Sequence, residues 1–211
     1  MEMNLWTKRE VERNPNYPGL ILRENRTFDI GRSYSDYKET KHDFALMDMA
    51  IREALCSTAC KGMVGLVAAV DSRPIMGAYN GTLPGASNIC ENEAGKTKRG
   101  VLHAEHNLLA RASKHGISLQ GASIYVTRRP CEGCLPLLIS CEVSKIFYIE
   151  DKQDHRDDHL MDAVSSGILV YKMNPYVDRE TESGRMKVYL WEELKREQEH
   201  RRNLLSVKAG N

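Results

Sequence analysis

The chain has 211 residues, of which 41% are hydrophobic and 28% are charged, with 30 Lys and Arg against 29 Asp and Glu. This length fits one domain with extensions, and the composition supports a buried core under a charged surface. The net charge of +1 lacks the basic excess of general nucleic-acid binders, which favours a small substrate over a polynucleotide. No run approaches the roughly 18 apolar residues of a membrane span, so no membrane contact is expected.

The N-terminal region is polar. Residues 1–12 contain no apolar signal-peptide core, and the spacing of the six cysteines suggests no disulfide framework. We therefore expect a reducing, cytoplasmic location. Residues 14–19 are dense in turn formers. Residues 1–40 are predicted to form an extension that wraps over the fold or takes part in assembly.

The first predicted helix begins after Thr40, an acceptable N-cap, and Asp43 follows near its positive end. Its apolar residues recur at steps of three and four, which places them on one face. Residues 63–70 and 75–79 then predict a β-hairpin. A loop follows to about Gly100. Loops longer than about 12–15 residues are usually functional or disordered, and we favour a functional loop here.

Helices and strands alternate through the rest of the chain. Helices are predicted at residues 103–114, from residue 130, at 160–166 and at 188–205, and strands are predicted at 122–128, 145–150 and 168–173. This order predicts an α/β fold of three layers, α/β/α, in which helices cover both faces of a five-stranded mixed sheet. The main domain is predicted to span residues 41–175, and residues 176–211 are predicted to form a charged helical tail.

Two short motifs point to the chemistry of the chain. The first is His-Ala-Glu at residues 103–105, and the second is Pro-Cys-Glu-Gly-Cys at residues 130–134. His-x-Glu followed by Pro-Cys-x-x-Cys is the signature of zinc-dependent nucleobase deaminases. A catalytic zinc takes three protein ligands and leaves the fourth position for water. The predicted Zn²⁺ ligands are His103, Cys131 and Cys134.

Glu105 lies two positions after His103 and is predicted to move protons instead of binding the metal. Zinc lowers the pKa of bound water from 15.7 towards about 7, which makes hydroxide available at neutral pH. Glu105 would accept the proton of that water and deliver it to the ring nitrogen and then to the leaving ammonia. The alternative is a closed structural zinc site or a chance match. The presence of a single Cys-x-x-Cys pair argues against a four-cysteine site.

Over about residues 42–173 the chain resembles the cytidine deaminase superfamily, and within it most closely the deoxycytidylate (dCMP) deaminases. Besides the two motifs, the resemblance rests on residues 60–65 and on Ala-Tyr-Asn-Gly at residues 78–81, which is similar to the family's Gly-Tyr-Asn-Gly. It implies a cytidine-deaminase-like fold and hydrolytic deamination of dCMP to dUMP, with ammonia release, in the supply of thymidylate synthesis. It also implies a homo-oligomer, a hexamer, activated by dCTP and inhibited by dTTP.

The same resemblance implies site residues. Asn80 is similar to the residue that holds the deoxyribose 3′-hydroxyl, and Ala104 is a further expected substrate contact. The chain departs from the family just before residue 130, where many relatives carry neutral residues. The two arginines at that place, Arg128 and Arg129, are expected to bind the 5′-phosphate because guanidinium groups bind phosphate in a bidentate manner. Surface charge is the alternative role for either arginine. Tyr79 and Gly81 are expected to contribute to the allosteric regulation.

Several residues outside the motifs have alternative interpretations. His106 is either a site-lining residue or an ordinary helix position, and we favour the second. Residues Cys56, Cys60 and Cys90 invite a second, structural zinc, which some dCMP deaminases carry, but core thiols are the favoured interpretation. His155 is a candidate for the wall of the substrate pocket.

Pro136 is expected to leave a carbonyl unpaired or to bend the third helix. At the level of function, the alternatives are a zinc-dependent deaminase acting on a base in tRNA or single-stranded DNA, or on 5-modified dCMP or dCTP. A regulatory or assembly protein without turnover is a third hypothesis. The complete set of zinc ligands with Glu105 argues against it.

Overall fold

The computed structural model describes residues 37, 39–151, 158–176, 179–181 and 184–209. Most of the predicted N-terminal extension, residues 1–36, lies outside the described residues, as does His155. Within the described part of the chain, no helix has both the length and the apolar character that crossing a bilayer requires.

The described elements follow the predicted order through the fifth strand, and a short hairpin and a long helix come after it. In chain order they are α1 Lys41–Cys56, β1 Gly65–Val70, β2 Arg73–Tyr79, α2 Ala104–His115, β3 Ser123–Arg128, α3 Leu135–Ser140, β4 Lys145–Glu150, α4 Asp158–Ser165, β5 Leu169–Lys172, β6 Arg179–Thr181, β7 Gly184–Met186 and α5 Trp191–Ala209. The pairing of β6 with β7 was not predicted, because strands of three residues leave no alternating apolar pattern in the sequence.

The first five strands form one mixed sheet in the order β2-β1-β3-β4-β5. β1 pairs antiparallel with β2, as the predicted hairpin requires, and also with β3. The strands β3, β4 and β5 run parallel. Their carboxyl ends therefore meet at one edge of the sheet, where Arg128 is in register with Glu150. Ligand sites of α/β sheets collect at this kind of edge.

The sheet separates two hydrophobic cores because successive side chains of a strand point to opposite faces. On one face, Val67 and Phe147 pack with apolar residues of α1 and α5. On the other face, Leu66 and Ile146 pack with residues of α2, α3 and α4. Helices thus cover both faces, and the predicted three-layer α/β/α architecture is confirmed.

The start of α1 is tied to the sheet through one carboxylate. Thr40 is the N-cap, as predicted, and its backbone N–H donates to Asp43 Oδ2 at 2.6 Å in a capping box. Asp43 Oδ1 accepts a hydrogen bond of 2.6 Å from the Tyr125 hydroxyl of β3, and Oδ2 accepts one of 3.0 Å from the Tyr37 hydroxyl. Asp43, which forms the capping box with Thr40, therefore also fixes α1 against β3, the middle strand of the sheet.

The third helix begins later than predicted. Its N-cap is Cys134 and its first residue is Leu135, whereas we expected it to open at residue 130. Cys131 instead lies in a turn, in which the N–H of Cys134 donates to the Cys131 carbonyl at 3.0 Å. The concern over Pro136 was wrong: it lies in the first turn of α3, where an N–H group has no intrahelical acceptor to lose.

The predicted tail helix is confirmed as α5, although it begins at Trp191 and continues to Ala209. Trp191 and Leu194 are buried in the core beside α1, as their apolar character suggested. Leu204, a further apolar residue of the helix, is 50% exposed. The buried side of α5 is continued instead by the polar residue Gln198.

Candidate functional site

The two sequence motifs meet in space. His103 is the N-cap of α2, while Cys131 and Cys134 lie in the turn before α3. The Nδ1 atom of His103 is 3.5 Å from Cys131 Sγ and 3.3 Å from Cys134 Sγ, and the two sulfur atoms are 3.4 Å apart. The three residues predicted to bind metal therefore form a compact triangle, with one nitrogen and two sulfur atoms at its corners.

This triangle has the size of one face of a tetrahedral zinc site. With Zn–S distances of about 2.3 Å and Zn–N distances of about 2.0–2.1 Å, tetrahedral angles place two sulfur ligands about 3.8 Å apart and a sulfur and a nitrogen about 3.5 Å apart. The two sulfur–nitrogen distances in the triangle, 3.3 and 3.5 Å, are close to the expected value. The sulfur–sulfur distance, 3.4 Å, is shorter than the expected one. The residues present fit zinc and leave a fourth position for water.

The electrostatics of the two thiols also favour a bound cation. Hydrogen bonds from Cys134 and His103 lower the pKa of Cys131 to about 3. The hydrogen bond to Cys131, together with burial, raises the pKa of Cys134. Without a cation, one thiolate therefore keeps its neighbour protonated. A bound metal ion reverses that effect because a coordinating thiol is deprotonated outright, and a mixed thiolate and imidazole set suits zinc.

Glu105 lies beside the triangle in the first turn of α2 and is only 3% exposed. Burial raises the pKa of Glu105, and a hydrogen bond from its own backbone N–H and the charge of His103 oppose that rise. The Cys134 sulfur atom also lies within hydrogen-bonding range of the Glu105 carboxylate. A buried carboxyl group with a raised pKa, next to the metal triangle, is suited to taking up and returning a proton.

The segment that contains the Tyr-Asn-Gly element runs alongside the start of α2. Gly81 donates its N–H to the Leu102 carbonyl at 3.1 Å, and Leu102 donates its N–H to the Gly81 carbonyl at 2.8 Å. Nearby, the Asn107 Nδ2 atom donates to the Tyr79 carbonyl at 2.9 Å. These bonds bring residues 79–81 next to His103, although the two segments are separated by the long loop in the sequence.

Asn80 is held by the backbone on both ends of its side chain. Its Oδ1 atom accepts from the Val64 N–H at 2.8 Å, and its Nδ2 atom donates to the Gly62 carbonyl at 2.8 Å. Its own carbonyl accepts from the Ser57 hydroxyl at 2.8 Å. An amide side chain has two donor hydrogens and two acceptor lone pairs, so one of each is left for a ligand. The side chain is fixed before any ligand arrives.

The two arginines of the motif face acidic residues at the end of β4. Arg128 donates from Nε and Nη2 to Glu150 Oε2 at 3.0 and 2.7 Å. Arg129 Nη1 lies 3.4 Å from Asp151 Oδ1. The Arg128 side chain is 21% exposed and that of Arg129 is 4% exposed. Arg128 is therefore the more accessible of the two to an anion.

The Glu150 carboxylate competes for Arg128. Burial opposes its ionisation, but the charges and hydrogen bonds of Arg128 and Lys195 hold the pKa of Glu150 below its ordinary value. The carboxylate therefore stays ionised at neutral pH. Any phosphate that Arg128 binds has to share the guanidinium with this carboxylate.

Two further residues of α2 flank the metal triangle. The side chain of Ala104 is fully buried in the core on the α2 side of the sheet, so a substrate contact there falls to its backbone. The His106 ring lies 5.7 Å from the His103 ring, because residues three apart share a helix face. This proximity follows from the helix spacing alone, and an ordinary helix position for His106 stays the favoured prediction.

The remaining cysteines form no second metal centre in the described part of the chain, where the triangle is the one group of three metal-ligating side chains. The structure instead reveals a role for Glu91 that the sequence did not suggest. The Oε1 atom of this buried residue accepts from the N–H groups of Cys60 and Lys61 at 2.9 and 3.1 Å. Glu91 thus anchors the long loop to residues 60–61. A single acid in a polar loop carried no signal of this.

The fold and the site together define a class of protein, a three-layer α/β protein whose sheet edge carries a His-Cys-Cys cluster that fits zinc. The family model "Cytidine and deoxycytidylate deaminase zinc-binding region" matches residues 40–150, which include both motifs. The chain belongs to this family of cytidine and deoxycytidylate deaminases.

Similar proteins come from bacteria, bacteriophages and animals. The chain is 33% identical over 109 residues to ComE operon protein 2 of Bacillus subtilis, which covers 48% of this chain and 56% of the relative. It thus spans just over half the length of that protein. It is 27% identical over 161 residues to the deoxycytidylate deaminase of Enterobacteria phage T4, which covers 56% of this chain and 82% of the relative.

Among solved structures, the dCMP deaminase of cyanophage S-TIM5 in complex with dCMP and dUMP superposes with a TM-score of 0.60 at 28% identity. The match covers 65% of this chain and 100% of the phage protein. A deaminase/reductase from Thermotoga maritima, at 20% identity and a TM-score of 0.51, shares the fold alone. The predicted cytidine-deaminase-like fold is confirmed.

Proposed function

We propose that the protein hydrolyses dCMP to dUMP and ammonia. The observation that carries the proposal is the triangle of His103, Cys131 and Cys134 with the buried Glu105 carboxyl group against it. The similarity to the S-TIM5 dCMP deaminase in complex with dCMP and dUMP supports a free cytosine nucleotide as the substrate. The near-neutral net charge of the chain supports a small substrate in preference to a polynucleotide.

In this proposal His103, Cys131 and Cys134 hold Zn²⁺, whose chemistry is to lower the pKa of water to about 7 and so to supply hydroxide for attack on C4 of cytosine. Glu105 would take one proton of the attacking water and deliver it to N3 of the ring, which keeps it in dUMP. It would then take the remaining proton of the added hydroxyl group and deliver it to the leaving amino group. Water and dCMP thus yield dUMP and ammonia. Burial of Glu105 favours its protonated form, which makes the carboxyl group able to return the proton that it accepts.

The remaining roles concern the nucleotide. We assign Asn80 to the deoxyribose 3′-hydroxyl through the donor and acceptor that its backbone contacts leave over, and Ala104 to a substrate contact through its backbone. Arg128 is the candidate for the 5′-phosphate. The structure favours it over Arg129, because the Arg129 side chain is almost fully buried beside Asp151. We assign residues 41–175 to the deaminase domain.

The family resemblance supports two further parts of the proposal, a homo-oligomer and regulation by dCTP and dTTP to which Tyr79 and Gly81 contribute. A cytoplasmic location is a third part, and the spacing of the six cysteines, which suggests no disulfide framework, supports it. Adding each effector to the dCMP assay tests the regulation directly.

The test of the proposal is ammonia release from a panel of dCMP, dCTP, 5-methyl-dCMP, deoxycytidine, tRNA and single-stranded DNA. We expect turnover of dCMP, and a loss of about 10²–10⁴-fold in the Glu105→Gln variant, the usual contribution of a general acid–base group. Zinc content per chain should be the same in both proteins. The matched control is Glu132→Gln, which alters an exposed glutamate between the two cysteines. Activity on the polymers alone would refute dCMP as substrate, and activity that survives Glu105→Gln would refute the proton shuttle.

A further inference from the structure

Three polar side chains on one side of α5 donate hydrogen bonds to residues that contact Asn80 or Arg128, or to the immediate neighbours of such residues. We call Lys195, Gln198 and Arg201 the α5 donors. Their bonds run from Lys195 Nζ to Glu150 Oε1 at 3.0 Å, from Gln198 Nε2 to the Met63 carbonyl at 3.2 Å, and from Arg201 Nη1 to the Ser57 carbonyl. The spacing of three residues keeps the donors along one side of the helix.

The first donor acts on Arg128. The two oxygens of the Glu150 carboxylate are divided between two cations: Oε1 accepts from Lys195, and Oε2 accepts from Arg128. Lys195 therefore fixes the orientation of the carboxylate that orients the guanidinium. On the other side, a methyl group added at Gly62 would lie 2.5 Å from Arg128 Nη1. The guanidinium is thus confined between the Glu150 carboxylate and the backbone of Gly62.

The third donor acts on Asn80 through a single residue. Arg201 donates to the Ser57 carbonyl, and the Ser57 hydroxyl donates to the Asn80 carbonyl at 2.8 Å. Arg201 is itself held by Glu197, whose Oε1 atom accepts from Arg201 Nε at 2.7 Å. Ser57, at the end of α1, therefore links Arg201 of α5 to the Asn80 backbone through two hydrogen bonds.

The second donor holds the segment that binds the Asn80 side chain. Gln198, which is 2% exposed, donates to the carbonyl of Met63. The neighbours of Met63 are Gly62 and Val64, whose backbone groups bind both ends of the Asn80 amide. Each of the α5 donors is thus separated from Asn80 or Arg128 by one intervening residue or short segment.

We propose that the α5 donors are positioning residues that hold Asn80 and Arg128 in place and so set the affinity for the nucleotide. The effect on substrate rests on the proposed function, because that function assigns Asn80 and Arg128 to the nucleotide. Docking of the helix itself is served by the burial of Trp191 and Leu194. Loss of a cationic donor is therefore expected to change the site before it detaches α5.

The kinetic test compares Lys195→Met and Arg201→Met with Arg202→Met, which removes an exposed arginine from the same helix. With Lys195→Met we expect the KM for dCMP to rise about tenfold, which is the usual size of an effect transmitted through a neighbouring residue. The kcat should stay within about twofold. The KM for deoxycytidine, which has no phosphate, should not change. With Arg201→Met the KM for both substrates should rise, because Asn80 contacts the sugar. Lys195→Arg, which can renew the bond to Glu150, should restore the original KM for dCMP.

A second measurement needs no substrate. Hydrogen–deuterium exchange in residues 57–64 and 79–81 should become faster in Arg201→Met, and Arg202→Met should match the unmodified protein. Unchanged KM values in Lys195→Met and Arg201→Met would overturn the inference, and so would unchanged exchange in Arg201→Met. If the unmodified protein does not deaminate dCMP, the proposed function fails, and the exchange measurement alone then decides whether α5 holds the Asn80 segment.

Discussion

Gly65, the first residue of β1, lies in close contact with the backbone of α1. A Cβ atom added at Gly65 would lie 2.1 Å from the backbone nitrogen of Ala54, 2.2 Å from the Ala50 carbonyl oxygen and 2.7 Å from the Ala54 Cα. All three are backbone atoms, so no change of rotamer relieves the clash. Since carbon atoms pack at about 3.5–4.0 Å, α1 would have to move away by more than about 1 Å.

We therefore expect Gly65→Ala to reduce the free energy of unfolding by about 3–5 kcal/mol, at the upper end of the cost of overpacking. For a chain of this size, each kcal/mol lowers Tm by about 2–4 °C, so the expected fall is roughly 6–20 °C. Thermal unfolding followed by circular dichroism measures it. The matched control is Gly133→Ala, where an added Cβ meets no atom within 4 Å. Equal Tm values for the two variants would refute the close packing of β1 on α1.

Two further changes test other contacts. Tyr125→Phe removes the 2.6 Å hydrogen bond to Asp43 and should cost about 1–3 kcal/mol of stability. Burial and Asp43 raise the pKa of Tyr125, so the folded protein holds this proton more tightly than the unfolded chain. That stabilisation is complete below about pH 10 and declines at higher pH. In chemical unfolding above about pH 10, the free energy of unfolding should therefore fall less in Tyr125→Phe than in the unmodified protein. An identical fall in both proteins would contradict the assignment. Gly62→Ala puts a methyl group 2.5 Å from Arg128 Nη1, and the flexible arginine side chain can move to avoid it. We therefore expect the free energy of unfolding to fall by only about 1 kcal/mol and the KM for dCMP to rise. An unchanged KM would argue against Arg128 as a phosphate ligand.

Local sequence patterns were sufficient for most of the fold. The fourth strand was predicted at residues 145–150, and β4 has those bounds, because a short apolar run between charged residues leaves few alternatives. The N-cap at Thr40 was equally clear, since capping depends on residues three positions apart. The His-Cys-Cys site was predictable because its ligand types and spacings report the chemistry directly.

Partners distant in the sequence were not predictable. The Glu150 partner of Arg128 lies on the neighbouring parallel strand. From the sequence alone, each of the two charged side chains could equally well be exposed to solvent or bind a ligand. The same holds for Glu91, and for Lys195 in a helix that is charged on most sides. The start of α3 was misplaced because the turn at residues 131–134 already contains a helix-like hydrogen bond from Cys134 to Cys131, and the sequence does not separate such a turn from the helix that follows.

In the proposed function Arg128 binds the 5′-phosphate, and the arrangement at Glu150 would allow an arginine already engaged in an ion pair to do so. A phosphate that draws Arg128 away would leave a half-buried carboxylate without a cation, and such a carboxylate is costly. Here the other oxygen of Glu150 is bound to Lys195, so the carboxylate keeps one positive partner when the guanidinium is shared. Lys195 therefore lowers the cost of phosphate binding by Arg128. A nucleoside makes no such demand, which is why the effect of Lys195→Met should be confined to the phosphorylated substrate.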